Sequence, residues 1–170
     1  ILFNHESHRR GYNFVSKKII NGIVDILENK IQYIEVGNLN AYRDWGYAKE
    51  YVYAMWKMLQ LKDPDDFIIS TNRAHSVKEF INNAFKIVGL EIKWTGKGIN
   101  EIGKDQNDLI RIKISKKYLR PNELHYLRGS HKYATKKLRW KPRINFNSLI
   151  KIMIDEELQN RNINLLSLKK

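Results

Sequence analysis

Ile1-Leu2-Phe3-Asn4-His5-Glu6-Ser7-His8-Arg9-Arg10-Gly11 begins the chain, and its reading decides the fold. Three apolar residues running into a polar cluster read as the last turn of a buried parallel strand that opens into a binding loop. Such a strand needs neighbours on both sides, and no initiator Met, signal sequence or leading turn precedes this one. The expectation is a C-terminal part of a larger α/β protein.

Working outward, Phe14, Val15, Ile19, Ile20, Ile23, Val24 and Leu27 recur at helical spacing, which predicts an amphipathic helix over about 12–28. Tyr33 to Val36 reads as a strand closed by the turn residues Gly37-Asn38. A second helix is expected over about 46–60, with Ala48, Val52, Met55, Trp56 and Leu59 on one face, followed by a strand at Phe67-Ile68-Ile69. Ser76 and Glu79 have capping-box spacing at the head of a third helix that stops at Gly89. Glu91 to Trp94 reads as a strand, 95–109 as a Gly- and Asn-rich loop, and Ile110, Ile112 and Ile114 as a half-exposed strand. Short helices are expected at 131–138 and 146–160, then a frayed tail over 161–170. Strands and helices alternating at this spacing argue for an α/β fold.

Composition narrows the function. At 170 residues the chain is long enough for one domain with a real core. It has no Cys, which leaves no disulfide or thiolate site and fits a cytoplasmic location. The apolar runs fall far short of the roughly 18 residues that a membrane span needs. The net charge of +13 would suit nucleic acid, but the Lys residues are scattered (Lys49, Lys62, Lys78, Lys86, Lys97, Lys113, Lys151) and read better as a solvated surface. The five His residues show no i, i+4 pairing, so no metal site is expected.

Three loops carry candidate chemistry. The opening loop places a His, a Glu and adjacent Arg residues beyond the carboxyl end of a parallel strand, where open α/β sheets bind ligands; two planar guanidiniums suit phosphate. A solvated basic loop is the competing reading. Arg43-Asp44-Trp45-Gly46 precedes a helix start, which attracts anions, although an Arg43–Asp44 surface pair would explain it as well. In Tyr118-Leu119-Arg120-Pro121-Asn122-Glu123, Pro121 keeps Arg120 out of helical geometry, and Glu123 could accept from a ribose diol. Tyr53 with Lys57, and Tyr133 with Lys137, have the Tyr-x-x-x-Lys spacing that sets an ammonium one helical turn from a phenol. In a chain this rich in both residues that spacing arises by chance.

Taken together, these stretches resemble the C-terminal half of the GDP-mannose 4,6-dehydratases, extended short-chain dehydrogenase/reductases. The residues that carry the resemblance are Ile1 to Ser7 with Arg9-Arg10-Gly11, Phe14-Val15, Lys18-Ile19, Gly37-Asn38-Leu39, Arg43-Asp44-Trp45-Gly46, Ala48-Lys49, Tyr51-Val52 and Ala54-Met55-Trp56. His75-Ser76-Val77, Glu79-Phe80, Tyr118, Arg120-Pro121, Glu123 and Trp140-Lys141-Pro142 extend it to about residue 155.

The resemblance implies the end of a Rossmann-type NADP-binding domain over 1–70, interleaved with substrate-domain segments. It implies a small α/β substrate-binding domain over 71–160. It places His5 and Arg10 on NADP, and Asn4, Lys18, Arg43, Arg120 and Glu123 on the GDP-sugar, with the Arg pair on the pyrophosphate and Glu123 on a ribose. The family's reaction moves hydride from C4 to NADP, removes the C5 proton, expels water from C6 and returns hydride there. The Tyr, Lys, Thr and Glu that do this would lie upstream of Ile1, so no catalytic residue is expected here and the chain alone should be inactive. GDP-mannose is the implied substrate, and a dimer or tetramer the implied assembly of the full-length protein. A basic nucleic-acid-binding module or an inactive remnant is the alternative. The chain departs from the family at His8, usually Pro; at Tyr47, usually His; at Ser130, near an expected Asp; and at Arg139, usually Gly.

Overall fold

The computed structural model describes residues 1–165. The first helix, α1 (Val15–Leu27), forms where the apolar spacing requires it, and Ile19, Ile20, Ile23, Val24 and Ile26 are buried along one side. It runs so close to the strand β2 (Ile34–Val36) that a Cβ on Gly22 would lie 2.6 Å from the Ile34 side chain. α1 packs against α3 (Val77–Ile87) and α5 (Phe146–Asn160), which also pack on each other. The main core lies among these three helices and β2, with Phe80, Phe85, Leu149, Ile150 and Met153 closed from solvent. Each fully buried side chain of this size contributes roughly 1.5–3 kcal/mol. The α3 start is the expected capping box: the Glu79 amide donates to Ser76 Oγ, and the Ser76 amide donates to the Glu79 carboxylate.

Under the core lies a four-stranded sheet in the order β2, β8, β7, β6, with β8 (Ile110–Ile114) parallel to β2 and antiparallel to β7. β7 (Ile102–Lys104) and β6 (Lys93–Thr95) pair antiparallel. β7 corrects the expectation of a plain loop over 95–109. Its turn is organised by Asp105, whose carboxylate accepts from the amides of Asn107 and Leu109 and from Arg111 Nε.

The opening segment pairs in two places. Leu2 bridges Ile69 in parallel, and β1 (Asn4–Glu6) pairs in parallel with β4 (Trp45–Tyr47). The apolar opening is not buried here, since Ile1 is 80% exposed, and Phe67-Ile68-Ile69 contributes a single bridge in place of a full strand. A third pair joins β3 (Tyr42–Arg43) to β5 (His75–Ser76) antiparallel.

The helix α2 (Ala48–Met58) buries Tyr51 and Ala54, and its Val52, Met55 and Trp56 face outward, with Leu59 exposed just beyond its end; the expected apolar face is real but is not the covered one. Tyr51 and Ala54 pack in a second, smaller core with Phe67, Ile69, Trp140 and two residues of α4 (Lys132–Leu138). α4 ends on Arg139 at φ 49°, a left-handed conformation that favours glycine.

The frayed tail expected from 161 is also corrected as far as 165. Arg161 binds Asp25, Glu28 and Glu157, and Ile163 and Leu165 pack on the core. Residues 166–170 lie outside the described residues.

Candidate functional site

Pairing of β1 with β4 sets Asn4 opposite Trp45 and His5 opposite Gly46, so the opening loop and the Arg43–Gly46 stretch lie side by side. Gly46 has no room for a side chain, because a Cβ would come 2.3 Å from the Tyr51 ring. That ring stacks on His5 at 5.1 Å. The Nδ1 of His5 lies 2.9 Å from the Phe3 carbonyl, which can only accept, so in the neutral ring Nδ1 carries the proton and Nε2 is an acceptor. The Tyr51 hydroxyl is buried without a hydrogen-bond partner among the described residues, and burial, then Asp44, Glu50 and Glu6, push its pKa up.

Asp44 does not pair with Arg43. It is fully buried and accepts from the amide and hydroxyl of Thr71 and from the Gly129 amide, and so ties β3 and β4 to the two segments that flank them. Its neighbour Arg43 is thereby directed to the 118–124 segment. One terminal nitrogen lies 3.0 Å from Glu123 Oε1, and the other donates to the carbonyls of Tyr42 and Leu124. The helix that follows starts at Ala48, farther along than the reading that placed it near Gly46.

The other end of that segment holds Lys18, whose ammonium sits 3.0 Å above the centre of the Tyr118 ring. Its Nζ is buried and has no hydrogen-bond partner among the described residues, an ammonium group with donors unused. The Tyr118 turn closes tightly on Gly37, where a Cβ would lie 2.2 Å from the Tyr118 carbonyl oxygen. Arg120, two residues on, is exposed and forms no ion pair among the described residues. The structure thus lines Lys18, Arg120, Glu123 and Arg43 along one short segment, and sets Asn4 and His5 on the strand beside Trp45 and Gly46.

Arg10 is held on two sides: its Nε lies 3.2 Å from Glu6 Oε2, and its guanidinium lies 3.5 Å over the Phe14 ring. Glu6, Tyr51, Asp44 and Tyr118 are the supporting residues that sequence reading did not assign. Each is a polar or aromatic residue beside a candidate, with no spacing to mark it. The two Tyr-x-x-x-Lys pairs are structural. Lys57 donates to the Leu138 carbonyl, and Tyr133 donates to Asp65, which holds its phenol above the usual range.

Residues 1–153 match the family model described as GDP-mannose 4,6 dehydratase. The chain belongs to the GDP-mannose 4,6-dehydratase family. It is 48% identical over 158 residues to GDP-mannose 4,6 dehydratase 2 of Caenorhabditis elegans, a match over 93% of this chain and 41% of the nematode protein. With human GDP-mannose 4,6 dehydratase it shares 45% identity over 167 residues, 96% of this chain and 45% of the human one. This member therefore spans less than half the length of the curated relatives it matches.

Solved structures of extended short-chain dehydrogenase/reductases share the fold at low identity. RMD from Pseudomonas aeruginosa, complexed with NADPH, superposes with a TM-score of 0.74 at 17% identity, over 94% of this chain and 47% of that one. The dTDP-glucose 4,6-dehydratase of Bacillus anthracis, in complex with NAD, gives 0.71 at 12% identity, over 95% and 44%. Among the described residues no helix is long and apolar enough to cross a membrane.

Proposed function

We propose that this chain is the nucleotide-sugar-binding half of a GDP-mannose 4,6-dehydratase, a hydro-lyase that converts GDP-mannose to GDP-4-keto-6-deoxymannose in the cytoplasm. The observation that carries the reading is the row of Lys18, Arg120, Glu123 and Arg43 along residues 118–124, with Lys18 Nζ buried and without a hydrogen-bond partner among the described residues. Cations and one carboxylate strung along a single segment suit a ligand with two phosphates and a ribose diol. Arg43 and Arg120 take the pyrophosphate, Glu123 the ribose, and Lys18 and Asn4 orient the rest of the GDP-sugar.

The residues on the opening loop fit NADP. His5 offers an acceptor at Nε2, and the terminal nitrogens of Arg10 have no partner among the described residues. His5 and Arg10 would hold NADP, which would supply reversible hydride acceptance from the sugar. The proton-moving Tyr, Lys, Thr and Glu come from an upstream half, so this chain binds and orients but does no chemistry alone. The same reading assigns 1–70 to the end of the dinucleotide-binding domain with interleaved segments, and 71–160 to the substrate domain. The completed enzyme, in which an upstream dinucleotide-binding half is joined to Ile1, assembles as a dimer or tetramer.

The test is turnover. GDP-mannose and NADP are supplied to the chain alone and to the completed enzyme, and the 4-keto product is followed by chromatography. Product from the completed enzyme only is expected. No product from either sinks the reading.

A further inference from the structure

Glu6 is a buried carboxylate that the reaction does not use. It is 1% exposed, and burial raises its pKa against the opposing effects of Ser16, Arg10 and His5. An apolar residue would fill such a position at lower cost, because removing a carboxylate from water is expensive even when it is paired. Its neighbours indicate what it does. The Ser16 hydroxyl on α1 donates to Oε2 at 2.5 Å and fixes the carboxylate. The same oxygen lies 3.2 Å from Arg10 Nε. Phe14 lies against the face of the guanidinium at 3.5 Å. An ion pair at Nε, without hydrogen-bond geometry, and an aromatic ring on one face therefore constrain Arg10, and its two terminal nitrogens have no partner among the described residues. Side chains alternate along β1, so Glu6 leaves the strand on the opposite side from His5 and acts through Arg10.

We infer that Glu6 is a positioning residue: with Ser16 and Phe14 it locks Arg10 so that both terminal guanidinium nitrogens are presented to an anionic oxygen of the dinucleotide. This rests on the reading of Arg10 as a cofactor contact. A guanidinium already restrained by the Glu6 ion pair and the Phe14 ring meets the ligand with fewer rotamers to lose, which is the benefit of a fixed fork over a free chain.

The test is a cycle of four proteins, all as the completed enzyme: wild type, Glu6→Gln, Arg10→Ala and the double variant. NADPH affinity is read from cofactor fluorescence and GDP affinity by calorimetry. Glu6→Gln keeps the shape and an acceptor for Ser16, and should weaken NADPH by about five- to twentyfold while leaving GDP within about twofold. In the Arg10→Ala background it should cost nothing further, because a residue that acts only through Arg10 has nothing left to position. An equal loss in both backgrounds, or unchanged NADPH affinity in Glu6→Gln while Arg10→Ala weakens it, overturns the inference and leaves the reading of Arg10 intact. Unchanged affinity in Arg10→Ala overturns both. Should Glu6→Gln fold poorly, Ser16→Ala frees the carboxylate without removing it. That variant should show a smaller NADPH loss that also vanishes in the Arg10→Ala background; a loss that persists there counts against the inference.

Discussion

Arg43 and Glu123 meet across 3.0 Å although eighty positions separate them in the chain, and both side chains are largely buried. Such a pair fixes both groups before any nucleotide arrives. Glu123→Gln keeps an acceptor but removes the charge, and should lower stability to urea by about 1 kcal/mol. In the completed enzyme it should weaken GDP by about three- to tenfold through the ribose contact proposed for it. Unchanged GDP affinity would show that Glu123 serves only to hold Arg43.

Asp44 gives a sharper stability prediction. Replacing it by Ala strands the Thr71 and Gly129 amides, which its carboxylate now satisfies. An unsatisfied buried donor costs about 1–3 kcal/mol, so Asp44→Ala should lose about 2–4 kcal/mol. Amide exchange at Thr71 and Gly129 should quicken more than at residues of α1. Protection left unchanged at both amides would contradict the anchoring role.

Acid should loosen the packing of α1 against α5. Burial works to raise the Glu157 pKa, but hydrogen bonds from Lys17 and Arg161 outweigh it and hold the carboxyl below the usual range. For Asp105 burial is again opposed, by Arg111 and two backbone amides, and its pKa is also lowered. A carboxyl whose folded pKa is depressed binds fewer protons folded than unfolded. Its stabilisation is therefore complete above the unfolded value and lost as pH falls through the folded one. Urea midpoints should drop below about pH 4.5, and the drop should shrink in Glu157→Gln. At neutral pH, Lys17→Met should cost about 3 kcal/mol, the low end for breaking a buried pair, since Arg161 remains with Glu157.

Arg139 holds a left-handed conformation at the end of α4, where glycine would sit without strain. Arg139→Gly should raise stability by about 0.5–1 kcal/mol, because the strain removed exceeds the entropy that Gly adds to the unfolded chain. Thermal unfolding checks it. A lower midpoint would mean that the Arg139 side chain contributes contacts that outweigh the strain.

Sequence revealed the elements whose period is long enough to count. α1 repeats its apolar residues over more than three turns, α3 carries its capping box, and β8 alternates three isoleucines. β3, β4 and β5 have two or three residues each, too few for any period, and they are set by partners far along the chain. β7 was hidden by Gly103, which reads as a loop residue but is required where Ile92 and Ile112 press on the strand. α2 shows how far periodicity reaches: it marks an apolar stripe at Val52, Met55 and Trp56, yet does not say which stripe this chain covers. Among the site residues, Arg43 and Glu123 were legible as separate candidates. Their contact was not, because it depends on Asp44 facing away from Arg43 to bind Thr71.

The central claim is that Arg43 and Arg120 hold one pyrophosphate from two points of the site. Calorimetric titration of the completed enzyme with GDP, comparing wild type with Arg43→Ala and Arg120→Ala, tests it most directly. Removing one arm of a charge-assisted contact costs about 1.5–3 kcal/mol, or roughly ten- to hundredfold in affinity. Both variants should lose GDP affinity by that factor and keep NADP affinity nearly unchanged; full GDP affinity in either variant would contradict the account.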